Sequence, residues 1–227
     1  MTITDTSQRQ LRVVLVDDDP LVRTGLEGIL STAGDITVAG QAGDGHAAVD
    51  AVLRHAPDVV LMDIRMPRMD GLAATAALTR LPRAPKVVVL TTFDLDEYVF
   101  RALEAGAGGF LLKDASPQEI IAAVRAVAAG DAMLAPRVTT RLIAHFVGLH
   151  TDPRRADAQA RLALLTPRER EIVSAVAAGR SNSDIAGDMY LSEATVKTHL
   201  TRIFAKLDAS NRVQVAMLAY DAGLTMS

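Results

Sequence analysis

The sequence predicts two folded units: an α/β domain built on a doubly wound, five-stranded parallel sheet, and after it a small all-α domain of four helices. In residues 10–130, short apolar runs alternate with amphipathic helical segments. One run, 59–62, is apolar throughout, which is typical of a strand buried on both faces, and it stops at Asp63. In residues 162–227, capped helical segments follow one another instead.

The first strand covers residues 11–16 and ends in Asp17, Asp18 and Asp19. Asp19 is suited to cap a helix, because Pro20 follows at the first helical position. No local structure accounts for Asp17 and Asp18. The other predicted elements are a strand at 36–40, a helix at 44–55, the strand at 59–62, a helix at 72–81, a strand at 87–90, a helix capped by Asp94, a strand at 109–112 and a helix opened by Ser116, Pro117 and Glu119. The simplest connection is the flavodoxin-like order, with its switch point between the first and third strands.

The composition limits the possible functions. The 227 residues include no Cys, which excludes disulfides, thiol nucleophiles and Cys-based zinc sites, and the five His residues lack metal-binding spacing. The sequence has no apolar run of about 18 residues, and its N-terminus lacks the apolar core of a signal peptide. A soluble, cytoplasmic protein with no membrane partner is expected.

Charge is distributed unevenly along the chain. Residues 1–130 carry 12 basic and 17 acidic side chains, whereas residues 164–227 carry 7 of each. The acidic surplus therefore belongs to the first half. Because bulk charge does not mark the second half as a polyanion binder, a nucleic-acid hypothesis depends on where its cations lie.

Polar side chains follow four of the predicted strands: Asp17 and Asp18, Asp63, Thr91, and Lys113. The carboxyl ends of parallel strands meet at one edge of the sheet, so we expect these groups to lie together. Crowded carboxylates raise each other's pKa unless a divalent cation and a lysine compensate their charge. An oxygen-only site suits Mg²⁺, which leaves a coordination position for phosphate. Asp63 can then attack phosphorus to form an aspartyl phosphate.

In their order and spacing, these residues resemble the receiver domain of two-component response regulators, across residues 10–130. The resemblance implies that Asp63 accepts phosphate from a histidine kinase. It also implies that Mg²⁺ is bound directly by Asp18, Asp63 and the backbone carbonyl of Arg65, and through water by Asp17.

The resemblance implies a conformational switch as well. Thr91 would swing towards the phosphoryl group, Phe110 would be the coupled aromatic rotamer, and Lys113 would pair with the phosphate. An apolar aromatic in a strand is also an ordinary core residue, so both interpretations of Phe110 stay open. Thr92 is expected to be a surface hydroxyl near the site. Asp114 stands where receivers commonly have proline, a departure that does not affect the chemistry.

A second class of protein fits part of the same pattern. The strand ending in Asp17 to Asp19, together with Thr91 and Lys113, also resembles haloacid-dehalogenase-type phosphatases. Asp17 would then be the nucleophile and Asp19 the acid/base. Against this alternative, Asp63 would have no role, and no acidic pair follows Lys113 at a strand end.

Residues 131–161 are expected to form a linker. Apolar spacing predicts a short helix at 137–149, and the charged, Ala-rich stretch at 150–161 predicts a flexible tether. Thr166, Ser181 and Ser192 then cap three helices, the third covering 193–207, and a fourth amphipathic helix covers about 211–222. Four helices with a tight turn between the second and third describe a helix-turn-helix domain at 162–227.

The third helix carries a local positive charge. From 194 to 207 it has Lys197, Arg202 and Lys206 and no acid, a net charge of +3. Val196, Leu200, Ile203 and Leu207 are expected to face the core at helical spacing. Lys197, Thr198, Thr201 and Arg202 would then face outward together, either as a solvated face or as a surface that enters a DNA major groove.

The second half closely resembles the LuxR-type DNA-binding domain, across about 162–224, through the stretches Leu165 to Glu169, Leu191 to His199 and Lys206-Leu207. The resemblance implies contacts to bases and phosphates from Thr195, Lys197, Thr198, Thr201, Arg202 and Lys206. Thr201 stands where asparagine, serine or lysine is often found, so base preference does not carry over there.

Together the two resemblances indicate the NarL/FixJ class of response regulators. This class implies a phosphorylation-activated transcriptional regulator, with Mg²⁺ as cofactor and a sensor histidine kinase, an inverted-repeat operator, a second copy of the chain and RNA polymerase as partners. No enzymatic turnover beyond self-phosphorylation and slow self-dephosphorylation is expected. A transcription factor whose receiver only dimerises, without phosphorylation, is the remaining alternative.

Overall fold

The computed structural model describes residues 10–91, 96–134 and 152–224, without the side chains of 96–97, 133–134 and 152–154. Asp94 and Thr92, and the helix predicted at 137–149, lie outside the described residues. Within this part of the chain, no helix combines the length and apolar character needed to cross a membrane.

A parallel sheet forms the centre of the first domain, and the predicted strand order is confirmed. The order is β2-β1-β3-β4-β5-β6. The second strand therefore lies on one side of β1, and the third and later strands lie on its other side, which places the switch point between β1 and β3. The two-residue β6 pairs with β5 and was not predicted, because two residues carry no periodicity. The strands are β1 (Leu11–Val16), β2 (Ile36–Ala42), β3 (Val59–Met62), β4 (Lys86–Thr91), β5 (Gly109–Leu112) and β6 (Met133–Leu134).

The helices of the first domain begin where short polar side chains cap them. Asp19 and Ser116 cap the first and last of these helices as expected. The third helix ends at Thr79, two residues earlier than predicted, because Pro82 disfavours helical backbone at Leu81. The helices are α1 (Pro20–Ser31), α2 (Gly45–His55), α3 (Gly71–Thr79), α4 (Asp96–Glu104) and α5 (Pro117–Ala129).

Both faces of the sheet are covered by helices. In β1, Val14 and Val16 face a core shared with α2, α3 and α4, while Val13 and Leu15 face a core shared with α1 and α5. The same alternation in β3 buries all four of its residues. The apolar run that precedes Asp63 is therefore a strand buried on both faces, as predicted.

The second domain is all-helical and contains five helices in residues 152–224. The predicted flexible tether is wrong for residues 152–161, which belong to a helix. Ala158 and Leu162, one helical turn apart, are 2% and 6% exposed and pack into the domain core, which a charge-rich composition does not reveal. The helices are α6 (Asp152–Ala163), α7 (Pro167–Ala177), α8 (Asn182–Asp188), α9 (Glu193–Leu207) and α10 (Arg212–Asp221).

The amino-terminal end of α10 contacts the first domain at the carboxyl end of α4. The side-chain amide of Asn211 donates hydrogen bonds to the carbonyls of Leu103 (3.2 Å) and Ala107 (2.9 Å). The side-chain amide of Gln214 donates hydrogen bonds to the carbonyls of Leu103 (2.8 Å) and Glu104 (3.2 Å). The last carbonyls of a helix have no partner within it, so the second domain caps α4 from outside.

A second set of contacts joins α8 and α10 to the end of α5. Arg212 pairs with Asp131 at 2.5 Å, and the side-chain amide of Asn182 donates to the carbonyl of Ala129 at 3.0 Å. Val213 is buried and belongs to the core of the first domain that α4 helps to form. The two domains are thus joined by apolar packing, hydrogen bonds and an ion pair.

Candidate functional site

Three carboxylates meet at the carboxyl edge of the sheet. Asp17 follows β1 and Asp63 follows β3, and these two strands are direct neighbours. Asp17 and Asp63 are 1% and 5% exposed, whereas Asp18 is exposed. One oxygen from each of the three lies within 4.8 Å of the others. The structure thus brings together the three carboxylates predicted to bind a metal ion.

A lysine lies directly against two of these carboxylates. Lys113 follows β5, and its backbone N–H donates to the carbonyl of Thr91 at 2.8 Å. Its Nζ is 2.5 Å from Oδ2 of Asp17 and 3.3 Å from Oδ1 of Asp63. The predicted lysine therefore belongs to the site, although in this arrangement its shorter contact is to Asp17.

The electrostatics of the site leave Asp63 short of compensating charge. Burial raises the pKa of Asp63, the charge of Asp17 raises it further, and the charge of Lys113 opposes both. For Lys113, burial is the largest influence and lowers the pKa, but the hydrogen bond that it donates to Asp17 and the charges of Asp63 and Asp17 outweigh it, so the net pKa is raised. One ammonium thus faces several carboxylate oxygens. These carboxylate oxygens fit Mg²⁺, a hard cation that prefers such ligands.

The backbone around Asp63 is fixed by the close approach of α3. Gly71, the first residue of that helix, donates from its N–H to the carbonyl of Ile64 at 2.9 Å. A Cβ at Gly71 would lie 1.9 Å from the carbonyl oxygen of Asp63. Only glycine therefore allows the loop between β3 and α3 to return this closely beneath the acceptor residue.

We expect Gly71→Ala to destabilise the receiver by about 3 kcal/mol or more, because the new methyl group must displace backbone next to Asp63. Thermal unfolding of the full-length variant would show this as a lower midpoint. Gly28→Ala is the matched control: a Cβ there meets nothing within 4 Å. In a helix that change stabilises by about 0.5–1 kcal/mol. Equal midpoints for the two variants would contradict the prediction.

The remaining predicted receiver residues lie on neighbouring elements. Thr91 ends β4 and is buried. Phe110 is fully buried in the core of the receiver, so its role as a switching rotamer stays a prediction. Arg65 is exposed in the loop after β3, where its guanidinium lies 5.8 Å from the ring centroid of Tyr98 on α4.

Asp19 does not take the role that a phosphatase would require. Its side chain accepts a hydrogen bond from the N–H of Leu21 at 2.8 Å, as a helix cap does. Asp63, which has no role in a haloacid-dehalogenase-type site, shares the acidic cluster with Asp17 and Asp18. The arrangement of the site therefore favours a receiver domain over a phosphatase of this type.

One positioning residue escaped the sequence analysis. The guanidinium of Arg23 on α1 donates to the backbone carbonyl of Asp17 at 2.5 Å and to the side chain of Gln41 at 3.2 Å. Arg23 therefore ties the end of β1 to β2 beneath the acidic cluster. Its only sequence signal is its place one helical turn after Asp19, which is too common to predict a function.

In the second domain, α9 presents the predicted polar face. Its apolar stripe is confirmed, because Val196, Leu200, Ile203 and Leu207 are all buried. The outward residues Lys197, Thr198, Thr201 and Arg202 are exposed, and Thr195 is partly exposed. The helix therefore offers cations and short hydroxyls on one accessible side.

Lys206 has a structural partner in the same domain. Its Nζ lies 2.7 Å from Oε2 of Glu169, the buried acid that closes the capping box of α7 with Thr166. Hydrogen bonds from Lys206, then from the Thr166 backbone, lower the pKa of Glu169 from 4.5 to about 2. The cations of α9 that are free of such an ion pair among the described residues are Lys197 and Arg202.

We expect Glu169→Gln to cost about 1–2 kcal/mol of stability at neutral pH, through loss of the charged cap and its lysine partner. Because the pKa is lowered on folding, the stabilisation is complete above about pH 4.5 and is lost as the pH falls towards 2. Hydrogen exchange of α7 peptides in the full-length protein should therefore rise in the variant at pH 7. Glu171→Gln, which alters an exposed pair with Arg168, is the control and should change little.

Comparisons with known proteins match both domains of the chain. A family model described as the response regulator receiver domain matches residues 13–125, and one described as bacterial regulatory proteins of the luxR family matches residues 163–219. The chain is 38% identical over 212 residues to the transcriptional regulatory protein LiaR of Bacillus subtilis, which covers 92% of this chain and 97% of LiaR.

Two further relatives cover both domains. The probable transcriptional regulatory protein NarL of Mycobacterium tuberculosis is 38% identical over 203 residues, 89% of this chain and 90% of that protein. The crystal structure of the response regulator ChrA of a haem-sensing two-component system matches with a TM-score of 0.52 and 38% identity, covering 95% of this chain and 98% of ChrA.

A doubly wound sheet with an acidic cluster and a lysine at its carboxyl edge, joined to a helix-turn-helix domain, defines a response regulator of a two-component system. The chain belongs to the NarL/FixJ class, in which a receiver precedes a LuxR-type DNA-binding domain, and it is a transcriptional regulator.

Proposed function

We propose that Asp63 is the phosphorylation site of this regulator and that a cognate histidine kinase is the phosphodonor. The observation that carries the proposal is the position of Asp63: buried at the sheet edge, 3.3 Å from Lys113 and within one carboxylate cluster with Asp17 and Asp18. A carboxylate whose pKa is raised by burial gains most from added positive charge.

The residues around Asp63 divide the chemistry between them. A carboxylate oxygen of Asp63 attacks phosphorus, a P–O bond forms, and the P–N bond to the kinase histidine breaks as the imidazole leaves. Lys113 would release Asp17 and pair instead with an oxygen of the incoming phosphoryl group. Mg²⁺, when bound, would offset the negative charge of the transferring group, and the residues that would hold it are Asp17, Asp18, Asp63 and the carbonyl of Arg65. Thr91 and Phe110 would respond as the switch. Beyond self-phosphorylation and self-dephosphorylation, no enzymatic turnover is proposed.

The output proposed for this event is DNA binding by a dimer in the cytoplasm. A single small domain makes few phosphate contacts, so two recognition helices about one helical turn apart would read an inverted repeat. Support comes from the exposed face of α9, where Lys197 and Thr198 lie near the helix N-terminus. RNA polymerase would be the partner of the DNA-bound dimer.

We also propose that the described arrangement is the inactive one. Thr201, Phe204 and Ala205, on the carboxyl-terminal half of α9, line a cleft that faces the receiver. A duplex entering along α9 would meet the receiver at this point. Phosphorylation would therefore act by favouring an arrangement in which the contacts of α10 with α4 are broken.

Phosphoryl transfer to the full-length protein tests the first part of the proposal. The protein is incubated with acetyl phosphate, with Mg²⁺ or with EDTA, and intact-mass spectrometry counts the phosphoryl groups. We expect one group, acquired only with Mg²⁺, accompanied by dimerisation in analytical ultracentrifugation. A phosphoryl group acquired equally in EDTA would rule out the assigned metal residues.

The Lys197→Ala variant tests the DNA interface. We expect about tenfold weaker binding to duplexes selected from a random-sequence pool, because one cation is lost per domain, and an unchanged rate of phosphorylation. Arg155→Ala, which removes an exposed cation from α6, is the matched control. Binding of Lys197→Ala with the affinity of the wild type in a gel-shift titration would remove α9 as the recognition helix.

A further inference from the structure

The two domains enclose a cleft with a volume of about 510 Å³. On the receiver side it is lined by the loops at the amino edge of the sheet, including Lys86 and Gly108, and on the other side by Phe204, Ser210 and Arg212. This volume lies in the range of small-molecule sites, which occur preferentially at domain interfaces. The cleft lies at the edge of the sheet opposite Asp63, so it is separate from the phosphorylation site.

Close contacts on either side of the cleft hold its walls in place. A Cβ at Gly106 would lie 3.0 Å from Cβ of Ser210, and one at Gly130 would lie 3.3 Å from Nδ2 of Asn182. The domains therefore touch at both ends of the cleft.

Lys86 places an uncompensated positive charge in this space. Its ammonium lies 6.0 Å from the ring centroid of Phe204, and no carboxylate of the described residues forms an ion pair with it. Burial lowers the pKa of Lys86, with no opposing contribution from an acid. Cation–π attraction offsets only part of the cost of removing an ammonium from water. An anion in the cleft would supply the remainder.

The other charges that line the cleft neutralise each other. Arg212 is 8% exposed, and its guanidinium is held by Asp131 at 2.5 Å and by the side-chain oxygen of Asn182 at 3.2 Å. Among the described residues that line the cleft, the net charge is therefore that of Lys86. Phe204, together with Leu81 and Val127, makes part of the wall apolar. A ligand that satisfies both features has one anionic group and an apolar or aromatic body.

We propose that this cleft binds a small organic anion, with its carboxylate or phosphate group on Lys86 and its apolar body against Phe204. The site exists only while the domains are packed together, because each contributes one wall. Binding therefore favours the arrangement in which the domains are packed together. Because that arrangement is the one proposed above to be inactive, the ligand lowers DNA affinity, and DNA lowers the affinity of the ligand by the same factor. The proposal adds a second input to the regulator, independent of phosphoryl transfer.

The test uses the unphosphorylated full-length protein and three probes of similar shape: benzoate, phenyl phosphate and the neutral benzamide. Ligand-observed NMR titration is expected to give a Kd of about 1 mM or tighter for at least one of the anions. Benzamide should bind at least tenfold more weakly. Lys86→Met should weaken anion binding at least tenfold, Lys86→Arg should retain it, and Arg170→Met, which alters an exposed cation of α7, should not affect it.

Three outcomes would overturn the proposal. The first is the absence of binding of either anion to the wild type at 20 mM, on the order of twenty times the expected Kd. The second is equal binding of benzamide, which would show that the charge of Lys86 is not used. The third is anion binding that survives Lys86→Met, which would place the ligand elsewhere on the protein.

Discussion

Asp63→Asn is expected to abolish phosphorylation by acetyl phosphate and by a kinase, with no phosphoryl group detected by intact-mass spectrometry. The amide has neither the nucleophilic oxygen nor the negative charge that a metal ion requires. Asp17 and Asp18 remain in the variant, but neither combines the burial of Asp63 with its place at the end of β3. The loss should therefore be complete rather than partial.

Asp50→Asn is the matched control for this variant. Asp50 is an exposed carboxylate on α2, outside the acidic cluster, and its variant should be phosphorylated as the wild type is. Circular dichroism of Asp63→Asn should show a folded receiver, since removing a carboxylate that burial disfavours relieves part of the electrostatic cost. A phosphoryl group acquired by Asp63→Asn at the wild-type rate would move the acceptor to another side chain.

The phosphorylation site could be predicted from the sequence because strand ends are easily located. Each residue of the cluster follows an apolar run, and the parallel order places those ends at one edge. Helix caps at Asp19, Ser116, Thr166 and Ser192 were equally predictable, since each depends on residues only a few positions apart.

Contacts between the domains could not be predicted in the same way. Arg212 and Asp131 are 81 positions apart, and Asn211 and Ala107 are 104 apart, so no local pattern joins them. The helix α6 was missed because its stabilisation comes from Ala158 and Leu162 packing on the other helices, not from its polar composition. The sequence resemblance implied that Lys206 contacts DNA, but its ion pair with Glu169 is visible only in the structure.

Asn211→Asp is expected to open the interface and raise the DNA affinity of the unphosphorylated protein by up to about 100-fold. Asn211 is 5% exposed and has two roles. Its side-chain oxygen caps α10 by accepting from the N–H of Gln214 at 2.8 Å, and its amide nitrogen donates to the carbonyls of Leu103 and Ala107. Aspartate keeps the first role, because it caps helices as well as asparagine does.

The second role is reversed by the substitution. A carboxylate oxygen would face two carbonyl oxygens near the carboxyl end of α4, where the helix dipole is also negative. An unpaired charge buried in this way costs about 3 kcal/mol, which corresponds to about 100-fold in the equilibrium between packed and separated domains. Since the cap is preserved, the DNA-binding domain should stay folded.

Two measurements on Asn211→Asp distinguish domain opening from other effects. Small-angle X-ray scattering should show a larger radius of gyration, and a gel-shift titration should show tighter DNA binding without a phosphodonor. Gln159→Glu is the matched control, because it makes the same amide-to-carboxylate change at a contact to Ala222 within the second domain. Domains that separate without any gain in DNA affinity would mean that packing against the receiver does not inhibit α9, and phosphorylation would then have to act through dimerisation alone.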